Sequence, residues 1–288
     1  MTSFLQQAFN GLVSGSFYAL LALGLAVIFG MLRVVNFAHG AVYTLGAFGA
    51  VVLADKAGLG FWWALLIVPV VLAAGGMVVE RAFVHRLTAL DPLYNFLLTF
   101  GIALVAQDLL SMTYGSHSQP YDHAPFPGSV DLGLFDFPKY QVFALAVSLA
   151  VCTGVWLLLT RTRIGTVVRA STERPETTRA FGINTGRWIT PVFGFGVALA
   201  GLAGVLATPM RAVNPAMGSD LIIVVFAVVV IGGLGSVFGS VLAGFAIGML
   251  QALGNLYVPV LSQTSVFLLM AVVLLVRPAG LFGKEEHA

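Results

Sequence analysis

Long apolar runs with almost no charged residues follow one another along the chain. An α-helix needs about 20 mostly apolar residues to cross the roughly 30 Å hydrocarbon core of a bilayer. Runs near this length cover approximately residues 9–32, 37–54, 61–80, 93–113, 141–160, 189–209, 219–234, 236–254 and 262–277. They lack the alternation of membrane β-strands. We therefore expect an all-α fold, a polytopic transmembrane helical bundle of about 8–9 membrane segments, in which the shortest runs are either spanning or re-entrant.

The composition supports this fold class and excludes several others. Charged residues make up 9% of the chain, against roughly 25% in an ordinary soluble domain. The single cysteine excludes a disulfide scaffold, and a net charge of +2 provides no basic field for nucleic acid. We expect residues 1–288 to form one transmembrane domain whose surroundings are the lipid bilayer.

Basic residues are distributed unevenly between the two sides of the membrane. If all the runs cross, every Lys and Arg except Lys56, Lys139 and Arg211 lies on one side. Cytoplasmic loops carry the excess of positive charge, so the N-terminus is predicted outside and the C-terminus inside. The loop at about 114–140 then faces outward, and the loop at about 160–188 faces inward.

Polar residues inside apolar runs are costly, so they are candidates for function. Asn36, His39 and Gly40 open the second run, and Tyr43 follows them. One interpretation is that they line a solute cavity, as broken helices do in transporters. The other is that Asn36 caps the helix and His39 hydrogen-bonds a neighbouring helix. The sequence leaves both open.

A second segment repeats part of the first. Residues 211–218 carry Arg, Val, Asn, Ala and Gly at the same spacing as residues 33–40. An odd number of predicted spans separates the two copies, which would face opposite sides of the membrane, as in an inverted repeat. Chance matches are the alternative in a chain this rich in Ala, Val and Gly. If the repeat is real, Asn214 and Gly218 are candidates for the same pathway.

The fourth run places Thr99 and Gln107 on roughly one face. Gln107 is expected to make an interhelical hydrogen bond or to contact solute, and Asp108 is expected to reach headgroups or water. The full set of candidate pathway residues is Asn36, His39, Gly40, Tyr43, Thr99, Gln107, Asn214 and Gly218.

Small residues at four-residue spacing let helix backbones approach closely in a bilayer. Three such pairs predict a tightly packed bundle, namely Gly11 with Gly15, Gly235 with Gly239, and Gly244 with Gly248.

The inward loop contains the signals of a short helix. Pro175 suits a first helical position, Glu176 follows in the first turn, Arg179 lies near the end, and Gly182 can end the helix in the left-handed conformation. A helix of about two turns is unstable alone, so we expect it to dock against something. The alternative is a basic loop that only orients the protein.

Nucleotide-binding and catalytic motifs are missing from the sequence. No lysine falls in G-x-x-x-x-G-K-[ST], and neither H-E-x-x-H nor G-x-S-x-G occurs. We expect no enzyme activity, no metal site and no cofactor bound by this chain, so that any ATPase that drives it is another polypeptide. A secondary carrier or channel acting without ATP is the alternative.

Short motifs in order along nearly the whole chain resemble one family. They are Phe9-Asn10-Gly11 with Gly15–Leu20, Asn36–Gly40, Glu80-Arg81, Arg169-Ala170 with Gly182–Asn184, Asn214-Pro215 with Gly218, Gly232–Ser236 with Gly239, and Arg277-Pro278 with Gly280–Gly283. The set resembles the permease subunit of high-affinity branched-chain amino-acid ABC importers, the LivH type.

The resemblance implies a subunit of a bacterial inner-membrane importer. Its partners would be a second permease, either a different chain or a second copy, two ATP-binding subunits that hold ATP and Mg, and a periplasmic solute-binding protein. The inward loop would then couple the bundle to the ATPases through Arg169, Glu173, Glu176, Arg179 and Gly182.

Two positions depart from the family's pattern. Members often carry an acidic residue where this chain has Ala41, and Asn where it has Asp108. The expected solute is therefore a branched-chain amino acid or a related small polar solute, with urea, amides and aromatic acids as alternatives.

Overall fold

The structure, a computed structural model, describes residues 2–88, 90–121, 123, 125–131, 136–173 and 175–283. The side chains of residues 2, 3, 131, 173 and 175 lie outside this description. The helices are α1 Thr2–Leu32, α2 Ala38–Ala57, α3 Phe61–Val79, α4 His85–Leu87, α5 Pro92–Tyr114, α6 Lys139–Arg161, α7 Arg163–Glu173, α8 Pro175–Ala180, α9 Gly186–Ala207, α10 Met217–Gly232, α11 Val237–Tyr257, α12 Pro259–Ser262 and α13 Thr264–Val276. A π-helical turn, Glu80–Val84, joins α3 to α4, and β1 Ser129–Asp131 pairs antiparallel with β2 Asp136–Pro138.

Among the residues that the structure describes, seven helices are long and apolar enough to cross a membrane. They are Phe4–Leu32, Ala38–Ala57, Phe61–Leu87, Pro92–Tyr114, Lys139–Arg161, Gly186–Ala207 and Val237–Tyr257. The two remaining predicted runs correspond to α10, with 16 residues, and α13, with 13 residues. At 1.5 Å per residue these helices are about 24 and 20 Å long, which is shorter than the hydrocarbon core. The prediction of an all-α polytopic bundle is confirmed.

One end of the bundle, which we call the loop end, gathers the segments predicted to face outward. Gln119 and Val213 form an antiparallel β-bridge there. The Lys56 ammonium lies 5.5 Å from the ring centroid of Tyr114. Residues predicted to share one side of the membrane are therefore in contact.

The opposite end, which we call the basic end, gathers the segments predicted to face inward. The Thr172 hydroxyl lies 3.7 Å from the Met31 sulfur, and the backbone of Gly233 packs against that of Gly283. The two ends agree with a chain whose nine runs alternate in direction. Which end faces the cytoplasm remains a prediction from charge.

Helix α1 lies in the centre of the bundle. In its apolar stretch 83% of residues are buried, whereas the corresponding fraction is 11% for α3 and for α5. Side chains such as Leu20 and Leu23 are completely buried, and Leu66 on α3 is mostly exposed. The outer helices therefore present apolar surface suited to lipid or to a second membrane chain.

Glycine pairs bring α1 and α11 into backbone contact. A Cβ atom on Gly248 would overlap the backbone of Gly15, and one on Gly15 would lie 2.9 Å from the Cα of Phe245. Without a hydrophobic drive between helices in lipid, such close approach is what holds them together. The predicted tight packing of the bundle is confirmed for this pair of motifs.

The two similar segments have the same local structure. The Asn36 side-chain oxygen accepts a hydrogen bond from the Ala38 backbone N–H at 3.1 Å, and that of Asn214 accepts one from Ala216 at 3.0 Å. A helix begins at or just after each of these amides, α2 at Ala38 and α10 at Met217. This likeness favours the inverted repeat, which stays a prediction until the two halves are superposed.

The first turns of α2 and α10 also pack directly on each other. Gly40 and Gly218 are in backbone contact, and a Cβ atom on either glycine would overlap the carbonyl of the other. The Thr44 hydroxyl lies against Gly218 and is 3.3 Å from the Gly40 carbonyl, to which it donates. Both segments therefore start a helix at the same crossing inside the bundle.

Candidate functional site

A cavity of about 720 Å³ opens at the loop end. Its walls come from α1, the segment 211–214, α10, α11 and residues 262–267. Ligand cavities for small molecules typically enclose roughly 300–1,000 Å³, so this one has room for a small solute. We call it the loop-end cavity.

Polar side chains of α1 and α11 form one wall of the loop-end cavity. Gln7, Asn10, Ser14 and Tyr18 recur along one face of α1, and Gln251 lies on α11 opposite them. The Tyr18 hydroxyl donates a 2.7 Å hydrogen bond to the Gln251 side-chain oxygen. Our sequence analysis missed these residues, although their three- and four-residue spacing in an apolar helix was a usable signal.

Two residues of opposite charge, Arg211 and Asp220, line the same cavity. Arg211 interacts electrostatically with Tyr18 and with Tyr43. Within the part of the chain that the structure describes, no carboxylate lies within ion-pair distance of Arg211. Arg211 and Asp220 therefore share the cavity without an ion pair between them.

Most of the predicted pathway residues lie elsewhere, in the packed interior. Of the predicted set only Asn214 lines the loop-end cavity, and Gly218 lies between two cavity residues. Asn36, His39 and Tyr43 are each at most 2% exposed. Their role in a pathway stays a prediction.

The contacts of Asn36 and His39 match the second of the two interpretations. Asn36 accepts from the backbone at the start of α2, and His39 Nε2 donates to the Leu21 carbonyl of α1 at 3.1 Å. His39 Nδ1 is buried and has no hydrogen-bond partner. Asn36 therefore stabilises the turn that leads into α2, and His39 holds the first turn of α2 against α1.

Thr99 and Gln107 connect α5 to these segments. The Thr99 hydroxyl accepts a 3.3 Å hydrogen bond from the Phe37 backbone N–H. The Ser219 hydroxyl of α10 donates to the Gln107 side-chain oxygen at 2.6 Å. Gln107 thus makes the first of its two expected contacts, the interhelical hydrogen bond. It lies beside a crevice, lined also by Ala41, that leaves no room for a water molecule.

A buried carboxylate lies at the basic end, in the π-helical turn after α3. Glu80 is completely buried. Its Oε2 accepts a 2.6 Å hydrogen bond from the Thr190 hydroxyl of α9, and His85 Nδ1 lies 3.5 Å from its Oε1. A buried carboxylate needs such partners, so Glu80 ties α3 to α9 near the inward loop.

The predicted short helix in the inward loop is present as α8, Pro175–Ala180. Gly182 follows with φ of 80°, in the left-handed region, and its N–H donates to the Arg179 carbonyl at 2.9 Å. Such a turn satisfies carbonyls at the end of the helix. The predicted start and end of this helix are confirmed.

The rest of the loop is more ordered than predicted, because it also contains α7. The buried Thr178 hydroxyl donates to the Ala170 carbonyl at 2.9 Å, so α8 docks on α7 of the same chain. Arg179 Nε donates to the Thr185 hydroxyl at 2.9 Å. Helix α7 of the same chain is thus one partner on which the short helix docks.

The outer surface of this α7–α8 hairpin remains open. Arg169 and Glu176 are exposed, and the Phe181 ring is 81% exposed. The side chain of Glu173, also predicted to take part in coupling, lies outside the described residues. Aromatic residues and arginines are enriched on surfaces that another protein covers.

Comparison with known proteins identifies the family. A sequence profile described as "Branched-chain amino acid transport system / permease component" matches residues 7–277. The chain belongs to this permease family. It is therefore a membrane transport component and not an enzyme.

Named relatives of this permease cover nearly its whole length. It is 30% identical to the high-affinity branched-chain amino acid transport permease BraD of Pseudomonas aeruginosa, over 98% of this chain and 97% of that protein. It is 30% identical to LivH of Escherichia coli over 98% and 96%, respectively. Another high-affinity branched-chain amino acid transport permease, LivM of Escherichia coli, is 25% identical over 92% of this chain and 67% of its own length.

A solved structure shares the fold of this permease. A chain of the structure described as PsaBC from Streptococcus pneumoniae in complex with Fab aligns with a TM-score of 0.50. The alignment covers 95% of this chain and 90% of that chain at 14% identity. At this identity the likeness concerns the fold alone.

Proposed function

We propose that this permease is one of two membrane-spanning subunits of an ATP-driven importer in the bacterial inner membrane. The solute is a branched-chain amino acid or a related small polar solute. ATP and Mg bind to two partner ATPase subunits, and a periplasmic binding protein delivers solute at the loop end. The observation that carries the proposal is the loop-end cavity, which places polar groups of α1 and α11 around a solute-sized space inside a membrane bundle.

Orientation follows from the distribution of charge. The loop end is periplasmic and the basic end cytoplasmic, with the N-terminus outside and the C-terminus inside. The α7–α8 hairpin then faces the ATPases. Its exposed Arg169 and Phe181 supply the charged and apolar contacts for that interface.

Coupling runs along contacts that the fold provides. The hairpin touches α1 through Thr172 and Met31 at the basic end, and α1 carries Tyr18 in the wall of the loop-end cavity. A continuous rigid helix transmits displacement between its ends, so movement of the hairpin changes the cavity. ATP-driven closure of the ATPases would in this way alternate the cavity between the two sides of the membrane.

The proposed solutes include more than branched-chain amino acids. Ala41, where relatives often carry an acidic residue, lines the narrow crevice beside Gln107, and Asp108 is exposed on α5. Neither residue lines the loop-end cavity. These two departures therefore do not decide between solutes at this cavity, and urea, amides and aromatic acids stay as alternatives beside branched-chain amino acids.

Copurification tests the proposed assembly. The tagged chain is extracted from its native membrane in a mild detergent. We expect it to be recovered in stoichiometric amount with a second permease and two ATP-binding subunits. The second permease is either a different chain or a second copy of this one. Mass spectrometry and the mass of the particle give the composition. Recovery of the chain alone, from an extract in which another ABC importer of the same membrane stays intact, would contradict the assembly and favour a carrier or channel that acts without ATP.

A further inference from the structure

We propose that Arg211 and Asp220 bind the two charged groups of an α-amino acid in the loop-end cavity, with Arg211 holding the carboxylate and Asp220 the ammonium. The inference rests on the proposed function and names the two residues that recognise the solute. Both residues line the cavity.

Arg211 needs an anion that the described part of this chain does not supply. It is one of the few basic residues at the loop end, and no described carboxylate pairs with it. The described side chains that interact with it electrostatically are those of Tyr18 and Tyr43, which carry hydroxyl groups and no carboxylate. Because a guanidinium binds carboxylates with paired hydrogen bonds, a solute carboxylate beside Tyr18 would complete this arrangement.

Asp220 provides the opposite charge in the same space. It is exposed in the first turn of α10, nine positions after Arg211 in the chain. An acidic residue in the first turn of a helix is stabilised by the helix dipole, which by itself explains its position. Its presence in one cavity with Arg211 gives it a second role, since an ammonium beside Asp220 and a carboxylate beside Arg211 together describe a zwitterion.

The remaining lining fits an aliphatic side chain. Leu221, Ile223 and Phe267 border the same cavity as the polar residues of α1 and α11. A branched aliphatic side chain is stabilised when it is removed from water and packed against such a wall. Polar and apolar lining thus match the two parts of one amino acid.

A phosphatidylethanolamine headgroup carries the same two charges, so it is the competing source of this chemistry. The polar residues that line the cavity on α1, Gln7, Asn10 and Ser14, would leave acyl chains against amide and hydroxyl groups. Such contacts are unfavourable for hydrocarbon. The cavity therefore suits a free amino acid better than a lipid.

Photolabelling tests the site directly. The purified complex, without its binding protein, is irradiated with a diazirine analogue of leucine that keeps both charged groups, and labelled peptides are mapped by mass spectrometry. We expect labels on α1, α10 and α11 residues of the cavity. Excess leucine should remove them, whereas isoamylamine, which lacks the carboxylate, and added phosphatidylethanolamine should not. Arg211→Gln should lower labelling about tenfold or more, from the loss of a charge-assisted bond, and Arg211→Lys should lower it less.

A transport assay gives the second readout. In liposomes with the loaded binding protein, Arg211→Gln and Asp220→Asn should lower leucine uptake about tenfold while ATP hydrolysis continues. The matched control is Lys56→Gln, which removes a loop-end cation that lies over Tyr114 and does not line the cavity. It should behave as wild type.

Several results would overturn the inference. They are absence of cavity labels in wild type, labels that phosphatidylethanolamine removes, and equal labelling and uptake in wild type and Arg211→Gln. If wild type shows no ATP-dependent leucine uptake, the proposed function fails instead, and the photolabelling result still decides whether the site binds an amino acid.

Discussion

Valine in place of Gly218 is expected to destabilise the bundle strongly. A Cβ atom at this position would overlap the Gly40 carbonyl and the Thr44 hydroxyl. Two of the three overlapped atoms, the oxygen and carbon of the Gly40 carbonyl, belong to the backbone in the first turn of α2, so a change of side-chain rotamer cannot relieve the clash. Overpacking of this kind costs about 3 kcal/mol or more.

The measurement is thermal stability after extraction, followed as the monodisperse fraction of a fluorescent fusion. For a chain of this size, about 3 kcal/mol corresponds to a fall in melting temperature of roughly 6–12 °C, and complete loss of the folded peak is the stronger form of the result. Gly101→Val and Gly154→Val are the matched controls, since a Cβ atom at either position meets no atom within 4 Å. A Gly218→Val protein that melts with the controls would show that α2 and α10 do not cross as described.

Reversing the charge of Arg169 is expected to separate ATP hydrolysis from transport. Arg169 is exposed on the α7–α8 hairpin, and its replacement by Glu would put a negative charge at the contact with the ATPases. Loss of one charge-assisted contact and addition of repulsion should lower uptake per ATP hydrolysed about tenfold. Arg179→Glu should also lose the hydrogen bond to Thr185, so we expect it to uncouple and to loosen the hairpin.

The control for this experiment is Arg187→Glu. Arg187 is exposed in the first turn of α9, outside the α7–α8 hairpin but at the same end of the bundle. Its replacement by Glu changes the net charge by the same amount as Arg169→Glu. A C-terminal fluorescent fusion that matures only in the cytoplasm reports orientation in every variant. If Arg169→Glu couples normally, or if both variants fail to the same extent with altered orientation, the loop serves only to orient the protein.

The sequence predicted the bundle because lipid imposes simple requirements on it. Apolar runs of helical length set the spans, and the capping signals from Pro175 to Gly182 correctly located α8. The glycine pairs also predicted close packing of α1 on α11 correctly, because few other residues permit backbone contact. These features depend on local sequence.

The site was harder to predict because it depends on which helices become neighbours. His39 and Asn36 were predicted as pathway residues because they are polar and open an apolar run. In the structure each of them makes a hydrogen bond in the packed interior. The loop-end cavity instead joins α1 to α11, whose cavity residues are more than 200 positions apart, as in the pair Tyr18 and Gln251. No local pattern specifies such a pair. The repeated Arg-x-Val-Asn pattern did include Arg211, but as part of a predicted inverted repeat and not as a residue of this cavity.

Transport by a reconstituted complex tests the central claim most directly. The chain, its second permease and the two ATPases are placed in liposomes with a leucine-loaded binding protein, and accumulation of labelled leucine is followed over time. We predict accumulation that requires both ATP and the binding protein and that stops when hydrolysis of ATP is blocked. Leucine entry that proceeds without ATP, or with this chain alone in the membrane, would contradict the account.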